Sequence, residues 1–255
     1  MRERCTAFRL PHLRASGAWQ MSTDAALLEW CSRGPDRIVF RTYDWDRPTL
    51  SLGRVEPFPE GWNEAAIRAD HVAVVRRPTG GDAVLHDEEL TFAIAASIPG
   101  PWGLTPRSFA DRAAEALADA LASIGVEASR VAGRASGVVP GSKPGARPCF
   151  AAAAPGEVQV AGYKVAGLAS RFARSAALCH ASLPLTARHR DVARYRVDGD
   201  RDRAALEGHS RSLGELRTAS PPVPALADRL ADAVAARFEA PFSWSEFSAL
   251  EIEAP

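Results

Sequence analysis

The 255-residue sequence predicts a mixed α/β (α+β) fold, and three observations support this prediction. Pro106 to Ile124 places apolar side chains three to four positions apart, which is typical of an amphipathic helix. Arg37 to Tyr43 alternates apolar and polar side chains and predicts a half-buried strand. Short apolar segments between Glu157 and Leu185 are separated by Ala161-Gly162, a pair suited to a tight turn. Both periodicities in one chain indicate helices that pack on a sheet.

The remaining elements follow from the same patterns. Met21, Ala25 and Leu28 share one face of a first helix, and a shorter helix follows later in the chain. A last amphipathic helix begins after Pro221-Pro222. In chain order, the predicted elements are helices at Ala18–Cys31 and Asn63–Ala69, buried strands at Val72–Val75 and Leu90–Ile94, and strands at Glu157–Val160, Tyr163–Gly167 and Ala176–Leu185.

Length and composition predict one domain over residues 1–255, with its C-terminal helix from about residue 222. Lys and Arg together number 31 and so do Asp and Glu, so the chain lacks the basic excess of a general nucleic-acid-binding protein. No apolar run reaches membrane-spanning length, and the polar start is unlike a secretory signal. We therefore expect a cytoplasmic protein without nucleic-acid or membrane partners.

The four cysteines show no CxxC pairing, and no HExxH motif is present. A disulfide framework and a zinc site are therefore not expected, and we predict no metal. Cys5 and Cys31 carry no chemical signal. Cys179 lies in an apolar segment and is predicted to be structural.

The segment from Arg76 to Asp87 interrupts a strand-like sequence with two arginines, a proline and the pair Gly80-Gly81. Glycines allow a ligand to approach backbone N–H groups closely, and the arginines add fixed positive charge. Such a loop suits an anion or a developing oxyanion. A polar hairpin with a Gly-Gly turn fits the same residues.

A second segment, Gly162 to Gly167, holds a single lysine in a nearly apolar strand. The Lys164 ammonium has to reach a polar cavity or an anion if the strand is buried. A lysine that extends its stem to solvent is the alternative.

Together, the Arg76–His86 loop and the Gly162–Gly167 strand resemble the lipoate-protein ligase and octanoyltransferase superfamily, whose members carry RRxTGGxAVxH and GxKxxG motifs in this order. Met21 to Leu28, after Ser16-Gly17, and Pro48 to Arg54 are similar to that family's opening helix and PTxSLGR strand. The resemblance extends from about Ser16 to Leu216. It implies a biotin/lipoate ligase-like catalytic domain with a mainly antiparallel sheet flanked by helices.

Within that family, Cys149 resembles the nucleophile of a cysteine-dependent octanoyltransferase branch. It follows a Gly/Pro/Ser-rich stretch, Gly133 to Pro148, which predicts a mobile loop. The resemblance implies that Lys164 holds the acyl carbonyl, and we expect its ammonium to lower the pKa of the Cys149 thiol. His86 and His180 could each donate a hydrogen bond, and only His86 joins the candidate set. The remaining residues predicted to bind substrate are Arg76, Arg77, Thr79, Gly80, Gly81 and Gly167.

The resemblance implies transfer of an octanoyl group from acyl carrier protein to the lysine of a lipoyl domain, through an acyl-Cys149 thioester and without a cofactor. Acceptors would be proteins such as the glycine cleavage H protein or a dehydrogenase E2 subunit. Three alternatives stay open: an amidotransferase between lipoyl domains, an ATP-dependent lipoate ligase, and a non-catalytic module that binds acylated carriers. Asp82, where ligases tend to have a third glycine, and the lack of a predicted accessory domain favour the transferase.

Overall fold

A computed structural model describes residues 6–131, 145, 147–152, 154, 156–217 and 221–250. Cys5 and most of the predicted loop from Gly133 to Pro148 lie outside the described residues. The helices are α1 Gly17–Ser32, α2 Glu64–Ala69, α3 Pro106–Ala122, α4 Gly199–His209, α5 Leu213–Leu216 and α6 Val223–Phe238, with 3₁₀ segments at Cys149–Ala151, Ala187–Tyr195 and Phe247–Leu250. The strands are β1 Thr6–Arg9, β2 Leu13–Ala15, β3 Arg37–Trp45, β4 Thr49–Leu52, β5 Ala73–Arg76, β6 Val84–His86, β7 Glu89–Ser97, β8 Ser129–Arg130, β9 Val158–Val160, β10 Tyr163–Lys164, β11 Gly167–Phe172, β12 Ala176–Pro184 and β13 Ser243–Trp244.

The strands form one large sheet and two small ones. The seven-stranded sheet has the order β11-β12-β7-β3-β1-β13, and β2 also pairs with β3. Its pairs β11/β12, β12/β7 and β7/β3 are antiparallel, while β1 and β2 pair with β3 in parallel. The small sheets are β10-β9-β8 and β5-β4-β6. The mixed fold with helices around a largely antiparallel sheet is therefore confirmed.

Helices cover both faces of the large sheet. Helix α3 begins with a capping box at Thr105 and Ser108 and with Pro106 in its first turn. It packs with α6 on one face, where Phe109 and Phe238 are fully buried. Helix α1 covers the opposite face.

This two-sided cover corrects the prediction of a half-buried strand at Arg37–Tyr43. Most of β3 is buried on both faces, and even Arg41 has no exposed surface. Its guanidinium forms a buried ion pair with Asp24 of α1, with 2.6 Å between Nη2 and Oδ1. This pairing allows a charged residue of β3 to be buried. The prediction of a buried strand at Val72–Val75 is also wrong in part. Strand β5 lies at the edge of its small sheet and alternates half-buried and exposed residues.

The predicted strand Tyr163–Gly167 is divided between two sheets. Tyr163 and Lys164 pair with β9, whereas Gly167 begins β11 in the large sheet. The turn at Ala161-Gly162 is confirmed, since both residues have positive φ. Lys164 therefore lies at a junction between sheets, which a single strand would not have provided.

Helix α4 was not predicted from the sequence, and it forms with few apolar residues. Among its described residues only Leu206 and Asp202 are buried, and the Asp202 carboxylate lies 3.1 Å from Nε of Arg196. Because only Leu206 and Asp202 are buried, α4 shows no apolar stripe and hydrophobic periodicity does not reveal it.

Candidate active site

The Arg77 side chain holds the loop between β5 and β6 in shape. Its guanidinium is buried and donates to the backbone oxygens of Ser51, Gly80 and Asp82, at 2.9, 2.7 and 2.8 Å. Arg76 points to the other side of the loop, where it donates to the backbone oxygens of Gly53 and Glu56. Both arginines therefore hold the backbone of this loop in place.

Two glycines let this loop lie directly on β4. A Cβ atom on Gly53 would be 1.9 Å from the backbone oxygen of Gly81, which leaves no space for a side chain. Gly81 has φ +87°, a conformation that other residues rarely adopt. Gly80 differs from both, because a Cβ there would meet nothing within 4 Å.

Cys149 opens a short 3₁₀ segment whose backbone is attached to the same loop. Its N–H donates to the backbone oxygen of Ala83, at 3.1 Å. The thiol is half-buried and faces Gly167, where a Cβ would lie 3.3 Å from Sγ. The missing side chain of Gly167 therefore makes room for the sulfur.

Lys164 brings its ammonium to Cys149. Nζ lies 3.2 Å from Sγ and 2.9 Å from the backbone oxygen of the same residue. It also forms an ion pair with Glu157, with 2.6 Å between Nζ and Oε1. Lys164 is only 1% exposed, so the alternative of a lysine that reaches solvent is wrong.

The charge balance around the thiol differs from the sequence-based expectation. Burial raises the pKa of Cys149, and although Lys164 and Arg77 lower it, burial together with Glu157 outweighs them. The expected lowered thiol pKa is therefore wrong for this state. Burial alone would lower the pKa of Lys164. The neighbouring Cys149 and Glu157 raise it by more, so the pKa of Lys164 lies above its ordinary value. The resting pair is a thiol beside an ammonium.

A small cavity lies beside the sulfur of Cys149. Its wall includes Cys149, Arg77, Gly81 and Gly167. Apolar and aromatic side chains, including Met21, Val84, Tyr43, Trp45 and Leu168, line the remainder together with a few hydroxyl groups and two histidines. A mainly apolar cavity with a thiol in its wall is suited to an acyl chain whose carbonyl lies at the sulfur.

His86 lines this cavity, but both of its ring nitrogens are occupied. Nδ1 lies 2.7 Å from Oε1 of Glu89 and Nε2 lies 2.7 Å from Oγ of Ser51. Its ring stacks on Trp45, with 4.0 Å between centroids. In this arrangement His86 forms part of the wall.

Thr79 is connected to a buried network below the loop. Its hydroxyl lies 2.7 Å from Nε2 of His180, whose Nδ1 lies 2.9 Å from Oδ2 of Asp24. Burial is the main reason that the pKa of His180 is lowered, despite the nearby carboxylate. Thr79, Gly80 and Arg76 are absent from the cavity wall, whereas Arg77, Gly81, His86 and Gly167 form part of it.

Residues 16–239 match the model of the lipoyl protein ligase A/B catalytic domain. The chain belongs to this family. A relative named octanoyltransferase LipM, from Kyrpidia tusciae, is 34% identical over 91% of this chain and 89% of its own length. Another, from Carboxydothermus hydrogenoformans, is 45% identical over 36% of this chain and 34% of its own length.

Solved structures of lipoate-protein ligases share the fold. A bipartite lipoate protein ligase from Thermoplasma acidophilum superposes with a TM-score of 0.74 at 18% identity, covering 97% of this chain and 89% of that one. Lipoate-protein ligase A bound with ATP gives 0.73 at 19%, covering 96% and 91%. The predicted lipoate ligase-like fold is therefore confirmed.

Sequence reasoning missed Glu157, although it lies inside the segment of the chain that matches the family. The signal available was a carboxylate placed directly before an apolar strand and seven positions before Lys164. Among the described residues, no group of three His, Cys, Asp or Glu side chains is arranged to hold a metal ion. No helix in the described part of the chain is long and apolar enough to cross a membrane.

Proposed function

We propose that this protein is an octanoyltransferase of protein lipoylation that moves an octanoyl group from octanoyl-acyl carrier protein to a lipoyl-domain lysine, through a thioester on Cys149. The observation that carries the proposal is the contact of Lys164 Nζ with Cys149 Sγ, at 3.2 Å, where that sulfur lines a mainly apolar cavity. The octanoyltransferase relatives support the acyl group and the reaction class. Acceptors would be lipoyl-domain proteins such as the glycine cleavage H protein or a dehydrogenase E2 subunit.

Two exchanges complete the reaction. In the first, Cys149 sulfur attacks the octanoyl thioester, the bond to the carrier sulfur breaks, and the proton of the Cys149 thiol ends on the carrier thiol. In the second, the acceptor amine attacks the acyl-Cys149 carbonyl and forms an amide. The sulfur leaves and takes up a proton from that amine. Thioester aminolysis is downhill, so the reaction needs no nucleotide.

During the first exchange, the Lys164 ammonium can stabilise negative charge first on the sulfur and then on the carbonyl oxygen. Its Nζ carries three N–H donors, which point at the backbone oxygen and the sulfur of Cys149 and at Glu157. When the sulfur bonds to the acyl carbon it becomes a poor acceptor, and negative charge moves to the carbonyl oxygen. The donor that held the sulfur can then turn to that oxygen, which stabilises the transition state more than the bound substrate.

The whole chain is proposed to act as one catalytic domain. Ala7, near the start of the described residues, and Phe238 and Ala240, near their end, belong to the same buried cluster as Phe92 of β7. Because the two ends of the chain share one core, separation into independent folding units is not expected.

The test of covalent catalysis is intact-mass analysis after incubation with octanoyl carrier protein. We expect one octanoyl adduct on the wild-type protein that hydroxylamine removes, and none on Cys149→Ala. Cys179→Ala is the matched control, since that thiol is buried and burial raises its pKa to about 11, but it lies outside the cavity wall. An adduct that persists on Cys149→Ala would exclude Cys149 as the nucleophile.

Transfer without nucleotide separates this proposal from an ATP-dependent ligase. Octanoyl carrier protein alone should modify a lipoyl domain, whereas free lipoate with ATP and Mg²⁺ should not. Octanoyl lipoyl domain offered as the donor tests the amidotransferase alternative in the same assay. Pyrophosphate release with free lipoate, retained in Cys149→Ala, would identify a ligase instead. Absence of any adduct or transfer would favour a non-catalytic module.

A further inference from the structure

Glu157 places a carboxylate in the buried cluster beside Cys149. The residue is 3% exposed, and Oε1 accepts from Nζ of Lys164 at 2.6 Å. Its other oxygen, Oε2, accepts from the backbone N–H of Ala154, also at 2.6 Å. Both oxygens are therefore fixed, one by the backbone and one by the lysine.

This arrangement determines where the ammonium of Lys164 lies. Without Glu157, two of its donors would still reach Cys149, but the third would be unpaired inside the protein. The short ion pair draws Nζ to one position, from which the sulfur is within hydrogen-bond distance. Strand β10 alone does not fix Nζ, because the lysine side chain has four rotatable bonds.

The same carboxylate changes the electrostatic balance. With a protonated Cys149, the Lys164 ammonium and the Glu157 carboxylate cancel each other. With a thiolate, these three side chains carry a net charge of −1 in a buried site, which only Arg77 offsets. A carboxylate at this distance therefore opposes ionisation of the sulfur, while the lysine favours it.

We propose that Glu157 is a positioning residue that acts through Lys164: it fixes the ammonium against Cys149 and keeps Cys149 a thiol until an acyl donor enters the cavity. Its use in catalysis rests on the proposed function, but its effect on the sulfur does not. A thiol that is protonated at rest is protected from oxidation and stray alkylation. Arrival of a thioester supplies a second site for negative charge, the carbonyl oxygen, to which the Lys164 donor can turn.

Replacing Glu157 by Gln keeps the size of the side chain and removes its charge, and the amide oxygen can still accept from either Lys164 or the N–H of Ala154, but not from both. The remaining charged groups that act on Cys149 are then Lys164 and Arg77, both positive. A thiolate becomes the neutralising partner of Lys164, so the pH midpoint for reaction of the sulfur should fall by about 1 to 3 units, the range typical of one nearby charge. Lys164→Met should move the midpoint in the opposite direction.

The experiment measures the rate of Cys149 alkylation by iodoacetamide against pH, followed by intact mass on the full chain. We expect the midpoint of Glu157→Gln to lie below that of the wild type, with alkylation at pH 7 about three- to thirtyfold faster, since a less basic thiolate is also a weaker nucleophile. Glu157→Asp, which retains the charge, should stay nearer the wild-type midpoint. Glu215→Gln breaks a carboxylate–arginine pair with Arg190 that does not act on Cys149, and should leave the midpoint unchanged.

An unchanged or higher midpoint in a folded Glu157→Gln protein would overturn the proposal, and the thermal midpoint of each variant establishes folding. A second readout compares octanoyl transfer at saturating donor. If Glu157 positions Lys164, Glu157→Gln should lower kcat more than it raises KM, even though its sulfur ionises more readily. If the midpoint shifts but no octanoyl adduct ever forms in any variant, the effect of Glu157 on the sulfur stands and the proposed transferase function fails.

Discussion

Gly167 faces the sulfur of Cys149 and has no side chain. Adding one methyl group at this position tests how precisely the sulfur must be placed. A Cβ there would lie 3.3 Å from Sγ and 3.4 Å from the Phe150 ring, tight contacts that displace the sulfur by tenths of an ångström. We expect Gly167→Ala to retain the fold and to lose on the order of a hundredfold in kcat, because small displacements of a nucleophile are costly. Gly80→Ala is the control for added bulk. Its Cβ meets no protein atom, so a defect there would report contact with substrate.

Lys164 is the residue at which the sequence was most informative. The apolar strand required its ammonium to find an anion or a polar cavity, and the structure supplies both Glu157 and the Cys149 sulfur. The sequence could not identify Glu157, because a carboxylate seven positions away becomes a partner only through the β9–β10 hairpin. The direction of the Cys149 pKa shift could not be predicted from the sequence either. It depends on how deeply the thiol is buried, and that effect outweighs the Lys164 ammonium.

Loss of the Lys164 ammonium should affect turnover more than binding. Lys164→Ala removes the donor proposed to follow charge from sulfur to oxygen, and loss of one such fixed donor typically lowers the rate about a hundredfold or more. Lys164→Arg should rescue only partly, because a planar guanidinium does not reproduce three tetrahedral donors. The rate of single-turnover acylation of Cys149 at saturating donor measures the loss in each Lys164 variant. A defect confined to KM would assign Lys164 to carrier docking.

At the scale of elements, Gly53 joins strand β4 to the loop that carries Gly80 and Gly81. The clash of an added Cβ at 1.9 Å from the backbone oxygen of Gly81 cannot be relieved by a side-chain rotation. We expect Gly53→Ala to shift the loop away from β4 and to lower the melting temperature by several degrees, together with activity. Gly208→Ala, in the open surroundings of α4, should be neutral or stabilise by up to about 1 kcal/mol. Equal melting temperatures for the two variants would contradict this packing.

Elements with a clear hydrophobic period could be predicted from the sequence, and those held by polar contacts could not. Helices α3 and α6 follow the expected ranges because each buries an apolar stripe, and α1 buries Met21, Leu27 and Leu28 together with polar residues. Helix α4 shows no such stripe, and β8 has only two residues, so neither was predicted, whereas β9 and β10 fall within predicted strands. The division of the Lys164 segment between two sheets depends on pairings that a local pattern cannot show.

At the scale of the whole molecule, the chain has no net charge at pH 7, so its response to pH depends on individual buried groups. Glu56 is one of them. Burial raises its pKa to about 7, although the N–H of Gly53 and the charges of Arg77 and Arg196 act in the opposite direction. Its Oε2 accepts from Gly53, while Oε1 has no hydrogen-bond partner among the described residues.

The sign of the effect follows from proton binding. Between the ordinary carboxyl pKa of 4.5 and the folded value of about 7, the folded protein holds a proton on Glu56 that the unfolded chain has lost. Stability due to this residue is therefore present at low pH and is lost as pH rises through 7. A raised pKa of this size corresponds to a loss on the order of 3 kcal/mol by pH 8.

Glu56→Gln should remove this dependence, because an amide can still accept from Gly53 and never ionises. We expect the variant to unfold at a higher temperature than the wild type at pH 8, with the difference shrinking as pH falls from about 7 towards 4.5. Thermal unfolding of both proteins, measured between pH 5 and pH 8, checks this prediction. Glu60→Gln, at an exposed position, removes the same charge and should give no pH-dependent difference. A Glu56→Gln gain that is equal at pH 5 and pH 8 would show that the buried carboxylate is not the source. A gain that appears only at high pH would mean that the loop joining β4 to the candidate active site loses stability as Glu56 ionises.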